Sequence, residues 1–339
     1  MYNNRQLNMD SLKFGIIGSG SWATAIVKVL QHNNISVNWY VRNSETIDHI
    51  KTYGNNPKYL TSAELNNDLL NMSDDIDEIV ENSQILVLVI PSAFLRESLE
   101  QVSVDIHNKY FVSAIKGMIP RENLLISDYL NKYFDVSLQH VAAIVGPSHA
   151  EEVAQERLSY LTIAGHNHEL AQHISVSLHS RFIETIISND LEGAEYAAVM
   201  KNIYAVASGI SHGLRFGDNY QAVLVSNAAQ EMERFLQAIK PDASRDIKSS
   251  AYLGDLLVTV YSQFSRNRTF GNLIGKGNTV RAAQAEMLMI AEGYYAAQSI
   301  YEINKSIKAS IPIAETIYNI LYQREDPRRA FNRLNKILR

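Results

Sequence analysis

Two ionisable residues occur inside apolar helical patterns, where charged side chains are rarely buried without a partner. Lys201 lies within Ala-Val-Met-Lys-Asn-Ile-Tyr (198–204), and its helical neighbours at i±3 and i±4 include no acid. Asp255 lies within Leu-Gly-Asp-Leu-Leu (253–257). Desolvation lowers the pKa of a lysine and makes it a usable proton donor or acceptor, so the pattern predicts an acid–base lysine paired with Asp255. Two alternatives stay open, a lysine extending to solvent at a helix edge and an aspartate that caps a helix.

Three further candidates follow apolar runs of the kind that form buried strands. Lys116 follows the run 110–115, and Gly146 and Ser148 belong to Gly-Pro-Ser-His-Ala (146–150) after the run 141–145. Open α/β sheets bind ligands at the carboxyl ends of their strands. These residues are therefore predicted to line a ligand site, although Ser148 would equally suit a helix cap.

A cluster of donors at Ser265, Arg266, Asn267 and Arg268 suits a phosphate, because arginine, hydroxyl and amide groups together complement its oxygens. A solvated run of charge is the alternative. The glycines at 271, 275 and 277 follow no strand, so we interpret them as a helix–helix connection and not as a phosphate loop.

The segment Gly-Ser-Gly-Ser-Trp-Ala (18–23) matches the dinucleotide pattern G-x-G-x-x-G/A. It follows the apolar run 14–17 and begins a helical pattern, as pyrophosphate binding at a helix N-terminus requires. Gly18 would form the tight turn and Gly20 would allow close approach of the ligand. Arg42 follows the second strand, where an acid would favour NAD. It could bind a 2′-phosphate or be a surface arginine, so the choice between NAD and NADP stays open.

These residues need a sheet followed by helices to hold them. The apolar runs 14–17, 37–41, 85–90, 110–115, 141–145, 160–164 and 181–187 alternate with helical patterns, which predicts an α/β fold with a doubly wound, mostly parallel Rossmann-type sheet. Beyond residue 190 the patterns at 192–209, 219–239, 249–264, 279–290 and 294–302 predict a C-terminal all-α domain. The predicted domains are 1–190 for the dinucleotide and 191–339 for the substrate, with a packed interface.

Composition excludes several classes of function. The chain has 339 residues, and its 31 basic and 36 acidic residues give a net charge of −5, which does not favour nucleic-acid binding. There is no cysteine, and the ten histidines show no metal-binding spacing, so no metal site is predicted. The apolar runs are too short to cross a bilayer, and the polar N-terminal segment does not resemble a signal peptide. A cytoplasmic protein is expected.

Taken in order, eight segments resemble the bacterial-type NAD(P)-dependent glycerol-3-phosphate dehydrogenase family. They are GSGSWATA (18–25), VIPS (89–92), AIKGM (114–118), GPSHA (146–150), VMKN (199–202), LGDL (253–256), SRNRTFG (265–271) and AEGYYA (291–296). The resemblance implies interconversion of dihydroxyacetone phosphate and sn-glycerol 3-phosphate with NAD(P)H, a role in phospholipid synthesis and a homodimer.

The resemblance also implies a role for each matching residue. Lys201 would exchange the proton at the substrate oxygen, Asp255 would orient and balance it, and Lys116 would contact both substrate and cofactor. The remaining substrate contacts would be Gly146, Ser148, Ser265, Arg266 and Asn267. The remaining cofactor contacts would be Gly18, Gly20, Ser21, Trp22, Arg42, Ala150, Arg266, Ile290 and Glu292.

Three positions depart from the family pattern. His149 stands where an aromatic such as phenylalanine is usual, Tyr252 stands where a glycine is common, and Arg42 is one arginine where a pair is common. Two other functions are compatible with the residues. One is a 3-hydroxyacid dehydrogenase of similar two-domain build, and the other is a non-catalytic NAD(P)H sensor, which would not need a buried lysine–aspartate pair.

Overall fold

The aliphatic runs of the first half form the strands of one sheet. The computed structural model describes residues 12–287 and 291–339, and in that part eight strands are arranged in the order β3-β2-β1-β4-β5-β6-β7-β8. Their bounds are β1 Phe14–Ile17, β2 Val37–Tyr40, β3 Leu70–Ser73, β4 Ile85–Leu88, β5 Tyr110–Ser113, β6 Val141–Val145, β7 Ser159–Gly165 and β8 Ile183–Ser188. Every neighbouring pair is parallel except β6 and β7, which are antiparallel. The predicted doubly wound, mostly parallel sheet is confirmed.

Helices connect the strands, and beyond β8 the described elements are all helical. Those of the first half are α1 Ser21–His32, α2 Ser44–Tyr53, α3 Ile76–Glu81, α4 Ser92–Glu100, α5 Ile126–Phe134, α6 Ala150–Ala154 and α7 His168–Leu178. Those that follow are α8 Leu191–Gly213, α9 Gly217–Ile239, a π-turn Ser250–Gly254, α10 Asp255–Tyr261, α11 Arg266–Gly275, α12 Val280–Glu286, α13 Glu292–Ile307, α14 Pro312–Tyr322 and α15 Pro327–Leu334. The predicted C-terminal all-α region is confirmed.

The order of the strands reverses between β1 and β4, and this reversal creates the crevice where such sheets bind ligands. Gly18 follows β1 directly and has a φ of +126°, a backbone conformation that residues with side chains rarely adopt. A Cβ at Gly18 would lie 2.4 Å from the Val89 carbonyl oxygen, so the loops after β1 and β4 touch through backbone atoms. Trp39 Nε1, on the neighbouring strand β2, donates to the Gly18 carbonyl at 2.7 Å and stabilises the turn.

The structure corrects the sequence interpretation in three places. An edge strand, β3, was not predicted, because its residues Leu-Asn-Met-Ser lack an apolar run and lie at the exposed margin of the sheet. The predicted helix 249–264 is a π-turn followed by the short helix α10. The predicted connection around Gly271 and Gly275 is wrong, because both residues belong to helix α11.

Glycines belong in α11 because that helix crosses α8 at backbone contact. A Cβ at Gly271 would lie 2.1 Å from the Val206 carbonyl oxygen, and one at Gly209 would lie 2.0 Å from the Arg268 carbonyl oxygen. The packing outweighs the low helix propensity of glycine, about 1 kcal/mol per residue. As a result, the N-terminus of α11 is held at a defined distance from the middle of α8.

No helix among the described residues is long and apolar enough to cross a membrane.

Replacing Gly271 with alanine should destabilise the fold, because the added methyl group has to displace backbone atoms of α8. We expect the free energy of unfolding to fall by about 3 kcal/mol, the upper end for an overpacked core, measured by denaturant titration. Gln237→Ala, which introduces the same residue at an exposed position of α9, should change it by less than about 0.5 kcal/mol. Equal stability of both variants would contradict the contact.

Candidate active site

A cleft of about 570 Å³ lies between the carboxyl ends of the strands and the helices that follow the sheet. Most residues predicted for the site line it, namely Gly18, Gly20, Ser21, Trp22, Arg42, Lys116, Ser148, Ala150, Lys201, Asp255, Ser265, Arg266, Asn267 and Glu292. Gly146 contacts the site through its backbone, and Ile290 lies outside the described residues. The tertiary structure therefore brings residues from both halves of the chain to one crevice.

Lys201 and Asp255 form a buried ion pair at the base of the cleft. The Lys201 ammonium donates a hydrogen bond to Asp255 Oδ1, and the two residues are 3% and 1% exposed. Burial is the largest influence on the lysine and lowers its pKa to about 7, even though Asp255 acts in the opposite direction. The alternative of a lysine extending to solvent is wrong. The alternative of Asp255 as a helix cap is also wrong, because Gly254 occupies the N-cap position of α10 and Asp255 is the first residue of that helix.

Lys116 is a second cation on the same carboxylate. Its Nζ lies 3.7 Å from Asp255 Oδ1, donates to the Gly146 carbonyl at 3.1 Å and lies 3.5 Å from Ser148 Oγ. The proximity of Lys116 also lowers the pKa of Lys201. One carboxylate therefore faces two ammonium groups, which leaves an excess of positive charge suited to an anionic ligand.

The loop after β6 supports this arrangement from the sheet side. The Gly146 N–H donates to Asp255 Oδ2 at 3.3 Å. Ser148 Oγ donates to the Gly146 carbonyl at 3.1 Å and makes no cap for α6, whose N-cap residue is His149. The interpretation of Ser148 as a helix cap is therefore wrong, and its hydroxyl remains at the cleft beside Lys116.

The cluster after residue 264 forms the N-terminus of α11, which points at the cleft. Ser265 caps this helix by accepting from the Arg268 N–H at 3.3 Å, and Arg266 and Asn267 form its first turn. A helix N-terminus carries a partial positive charge and free N–H groups. Together with the Arg266 side chain, which lines the cleft, this helix N-terminus favours the interpretation as a phosphate site over that of a solvated run of charge.

Asn202 and Thr259 were missed by the sequence analysis. Asn202 donates to the Lys116 carbonyl at 2.6 Å and accepts from Asn267 Nδ2 at 2.8 Å. Asn267 in turn accepts from the Gly293 N–H at 2.8 Å, so one chain of bonds joins the sheet, α8, α11 and α13. Thr259 lines the cleft and donates to the Asp255 carbonyl at 2.6 Å. The sequence signal that could have identified Asn202 is its position beside Lys201 as a polar residue in an otherwise apolar helix.

The glycine loop has the features that a dinucleotide requires. A Cβ at Gly20 would meet no atom within 4 Å, so open space lies where a pyrophosphate would approach. The first N–H groups of a helix have no intrahelical partners. Because helix α1 also has no side-chain cap at Gly20, these groups can donate to a ligand. Trp22 Nε1 is buried and has no partner in the part of the chain that is described. These residues fit a bound NAD(P)H.

Glu292 joins the helical half to the nucleotide half. Its Oε1 accepts from the Ser92 N–H at 2.8 Å and its Oε2 from Ser92 Oγ at 2.6 Å, which caps α4. Burial raises the pKa of Glu292, although the bonds from Ser92 act in the opposite direction. Ala150 and Arg42 also line the cleft, as a cofactor contact would require.

His149, at the position where the resemblance implies an aromatic residue such as phenylalanine, lines the cleft. The ring packs against Phe264 in a tilted arrangement, with centroids 6.0 Å apart. Burial, followed by the charges of Lys116 and Lys201, lowers the pKa of His149. The residue is therefore neutral at pH 7 and fills the aromatic position without adding charge. Elsewhere in the described residues no group of histidine and acid side chains could hold a metal ion.

Comparisons with known proteins agree with this geometry. The family models for the N-terminus and C-terminus of NAD-dependent glycerol-3-phosphate dehydrogenase match residues 13–171 and 190–332. A glycerol-3-phosphate dehydrogenase [NAD(P)+] of Macrococcus caseolyticus is 31% identical over 92% of this chain and 94% of its own, and one of Chlorobium limicola is 30% identical over the same shares.

The chain belongs to the NAD-dependent glycerol-3-phosphate dehydrogenase family. A crystal structure of glycerol-3-phosphate dehydrogenase from Coxiella burnetii superposes with a TM-score of 0.87 at 26% identity, covering 95% of this chain and 98% of the other. The predicted family, the enzyme class and the NAD(P) cofactor are thereby confirmed. A non-catalytic sensor is not supported.

Replacing Gly20 with alanine should weaken dinucleotide binding while leaving the fold intact, because the methyl group would project into the open space of the cleft. We expect the Kd for NADH, measured by quenching of tryptophan fluorescence, to rise at least about tenfold. The free energy of unfolding should change by no more than about 1 kcal/mol. In contrast, Gly18→Ala should lose stability, because its methyl group would meet the Val89 carbonyl. Unchanged NADH affinity in Gly20→Ala would contradict the assignment.

Proposed function

We propose that the chain interconverts dihydroxyacetone phosphate and sn-glycerol 3-phosphate, with Lys201 exchanging the proton at the C2 oxygen. The observation that carries the proposal is the buried Lys201–Asp255 pair, which shares one cleft with the glycine loop and the α11 N-terminus. When bound, NAD(P)H supplies the hydride, and the protein holds it against the ketone.

The proton step follows from the environment of Lys201. With a pKa of about 7, its ammonium can protonate the alkoxide that develops at C2 during ketone reduction, and its neutral amine can accept that proton in the reverse direction. Asp255 keeps the ammonium oriented and partly offsets the cost of its burial. Lys116 would stabilise the developing negative charge from the sheet side.

Substrate binding rests on groups remote from the reacting carbon. Arg266, the α11 N-terminus and the second N–H of Asn267 Nδ2 would hold the phosphate, while Ser148 would contact the substrate beside Lys116. A phosphate held at that end fixes the position of C2, so binding energy is converted into orientation. The Ser265 hydroxyl caps α11, and its part in phosphate binding is therefore to present that helix.

The organisation of the chain follows from the same proposal. Residues 1–190 would bind the dinucleotide and 191–339 the substrate, which agrees with a sheet ending at Ser188 and a C-terminal family match beginning at residue 190. The preference between NAD and NADP depends on Arg42. A homodimer, a cytoplasmic location and a supply of glycerol 3-phosphate to phospholipid synthesis are proposed from family membership.

A substrate panel separates the proposed reaction from that of a 3-hydroxyacid dehydrogenase. Consumption of NADH and NADPH with dihydroxyacetone phosphate would be compared with reduction of NAD and NADP by 3-hydroxyisobutyrate and by 6-phosphogluconate. We expect turnover with the triose phosphate and none with the hydroxyacids. The reverse pattern would overturn the proposed function.

Removing the Lys201 amine should abolish proton exchange without unfolding the site. For Lys201→Ala we expect kcat for ketone reduction to fall about 100-fold or more, the usual size of an acid–base contribution. Lys51→Ala, at an exposed lysine of α2, is the matched control and should retain full turnover. A Lys201→Ala enzyme with normal kcat would remove this lysine from the mechanism.

The pH dependence should report the same group. Reduction needs the ammonium, so kcat/KM should decline as pH rises above about 7, and oxidation should increase over the same interval. Asp255→Asn removes the charge that raises the pKa of Lys201, so the decline in reduction and the increase in oxidation should both occur at lower pH. If neither pH profile moves in this variant, another group titrates.

Arg266 should act through phosphate binding. Arg266→Ala is expected to raise KM for dihydroxyacetone phosphate about tenfold or more, since a charge-assisted hydrogen bond contributes about 1.5–3 kcal/mol. The Kd for NADH should change much less than this KM. Arg157→Ala, at an exposed arginine, is the control. An unaltered KM in Arg266→Ala would place the phosphate elsewhere.

A further inference from the structure

A second buried ionic cluster lies next to the active site and uses none of its residues. Asp190 accepts from Arg245 Nε at 2.6 Å and from Arg245 Nη2 at 2.9 Å. It also accepts from the Tyr252 hydroxyl and from the Gly193 N–H at 3.1 Å. The side chains of Arg245 and Asp190 are only 5% and 13% exposed. We call Asp190, Arg245 and Tyr252 the Asp190 cluster.

The cluster connects the two elements that carry the proposed proton-exchange pair. Asp190 is the N-cap of α8, the helix that holds Lys201. Tyr252 belongs to the π-turn that ends immediately before Asp255. The Tyr252–Asp190 bond therefore joins the start of the lysine helix to the segment that presents the aspartate.

Asp255 depends on that segment for its position. Among the described residues its carboxylate is bonded only by groups of the site itself, namely Lys201, the Gly146 N–H and the nearby Lys116. None of these belongs to its own helix, which begins at Asp255. A π-turn has poorer intrinsic geometry than an α-helix and persists where tertiary contacts support it. The Tyr252 hydroxyl is a contact of this kind, three residues before Asp255.

The bonding of Asp190 is suited to holding a fixed geometry. A carboxylate has about four sites for hydrogen bonds, and four donors reach Asp190. Burial raises the pKa of Asp190, but the bonds from Arg245 and Tyr252 outweigh it and bring that pKa below its usual value. The bidentate arginine pair fixes the plane of the carboxylate, so Tyr252 has one defined partner position.

We propose that Tyr252, held by Asp190 and Arg245, is a positioning residue that sets the distance and orientation of Asp255 relative to Lys201. The proposal rests on the proposed function of that pair. It gives a role to a tyrosine that stands where a glycine is common in the family, since glycine has no hydroxyl with which to reach Asp190.

The test is Tyr252→Phe, which removes the hydroxyl and keeps the ring. We expect kcat for reduction of dihydroxyacetone phosphate to fall about tenfold, as for a small misplacement of a reacting group. KM and the NADH Kd should change by less than about twofold. The decline of kcat/KM with rising pH should occur at lower pH, and Arg245→Lys should have the same effects.

Tyr220→Phe is the matched control, because the Tyr220 hydroxyl is buried and has no hydrogen-bond partner among the described residues.

A purely structural role would give a different result. If Tyr252→Phe and Arg245→Lys lower the melting temperature but leave kcat and the pH dependence of kcat/KM unchanged, the positioning role is overturned. The same holds if Tyr220→Phe lowers kcat equally.

A measurement without substrate separates failure of this proposal from failure of the proposed function. The rate at which acetic anhydride labels Lys201, followed by mass spectrometry against pH, reports its pKa directly. We expect the labelling profile of Tyr252→Phe to shift to lower pH in the same direction as that of Asp255→Asn. An unshifted profile overturns the positioning role, whereas a shifted profile in an enzyme that does not turn over triose phosphate overturns the proposed reaction alone.

Discussion

The burial of the Lys201 ammonium is the physical constraint on which the rest of the site depends. Moving an ammonium out of water costs several kcal/mol unless it is paired and well oriented, and Asp255 supplies the only carboxylate bonded to it among the described residues. The same desolvation that makes the pair costly places the pKa of the lysine near neutrality. Stability and reactivity at this position therefore have one origin.

Helix α8 is the element that makes such burial possible. It is buried on nearly all its faces from Leu191 to Ser211, between the sheet on one side and the helices of the second half on the other. Its glycine contacts with α11 bring the proposed phosphate-binding turn close to Lys201, and Asn202 ties it to the Lys116 backbone. The nucleotide and substrate halves are therefore joined at the reacting position by a common helix.

Both halves contribute groups to the ligand cleft. The nucleotide half offers open space at Gly20, as a pyrophosphate needs, and the cation Lys116, whereas the helical half offers Lys201, Arg266 and the N-terminus of α11. Glu292 and Ser92 hold these halves together at the rim of the cleft. An enzyme that must orient two ligands against each other benefits from such cross-links, because a small displacement of either ligand slows transfer.

The sequence by itself determined the elements whose cause is local. Continuous aliphatic runs such as Ile85–Leu88 identified buried strands, the glycine loop identified the dinucleotide turn, and Lys201 and Asp255 were conspicuous as charges among apolar neighbours. What lay beyond local pattern was missed or misassigned. The strand at Leu70–Ser73 is polar and marginal, and helix α11 contains glycines that only its crossing with α8 explains.

Tertiary structure alone decided which charges meet. Lys201 and Asp255 are 54 residues apart along the chain, and no spacing rule relates them, so their pairing was a hypothesis until the fold brought them together. The bonds of Asn202 with Asn267 and of Asp190 with Tyr252 were not predicted at all and also depend on the tertiary packing. Helical and strand periodicity indicate which face of an element is buried and which is exposed to solvent. The partner of a buried polar group depends instead on how elements distant in sequence pack together.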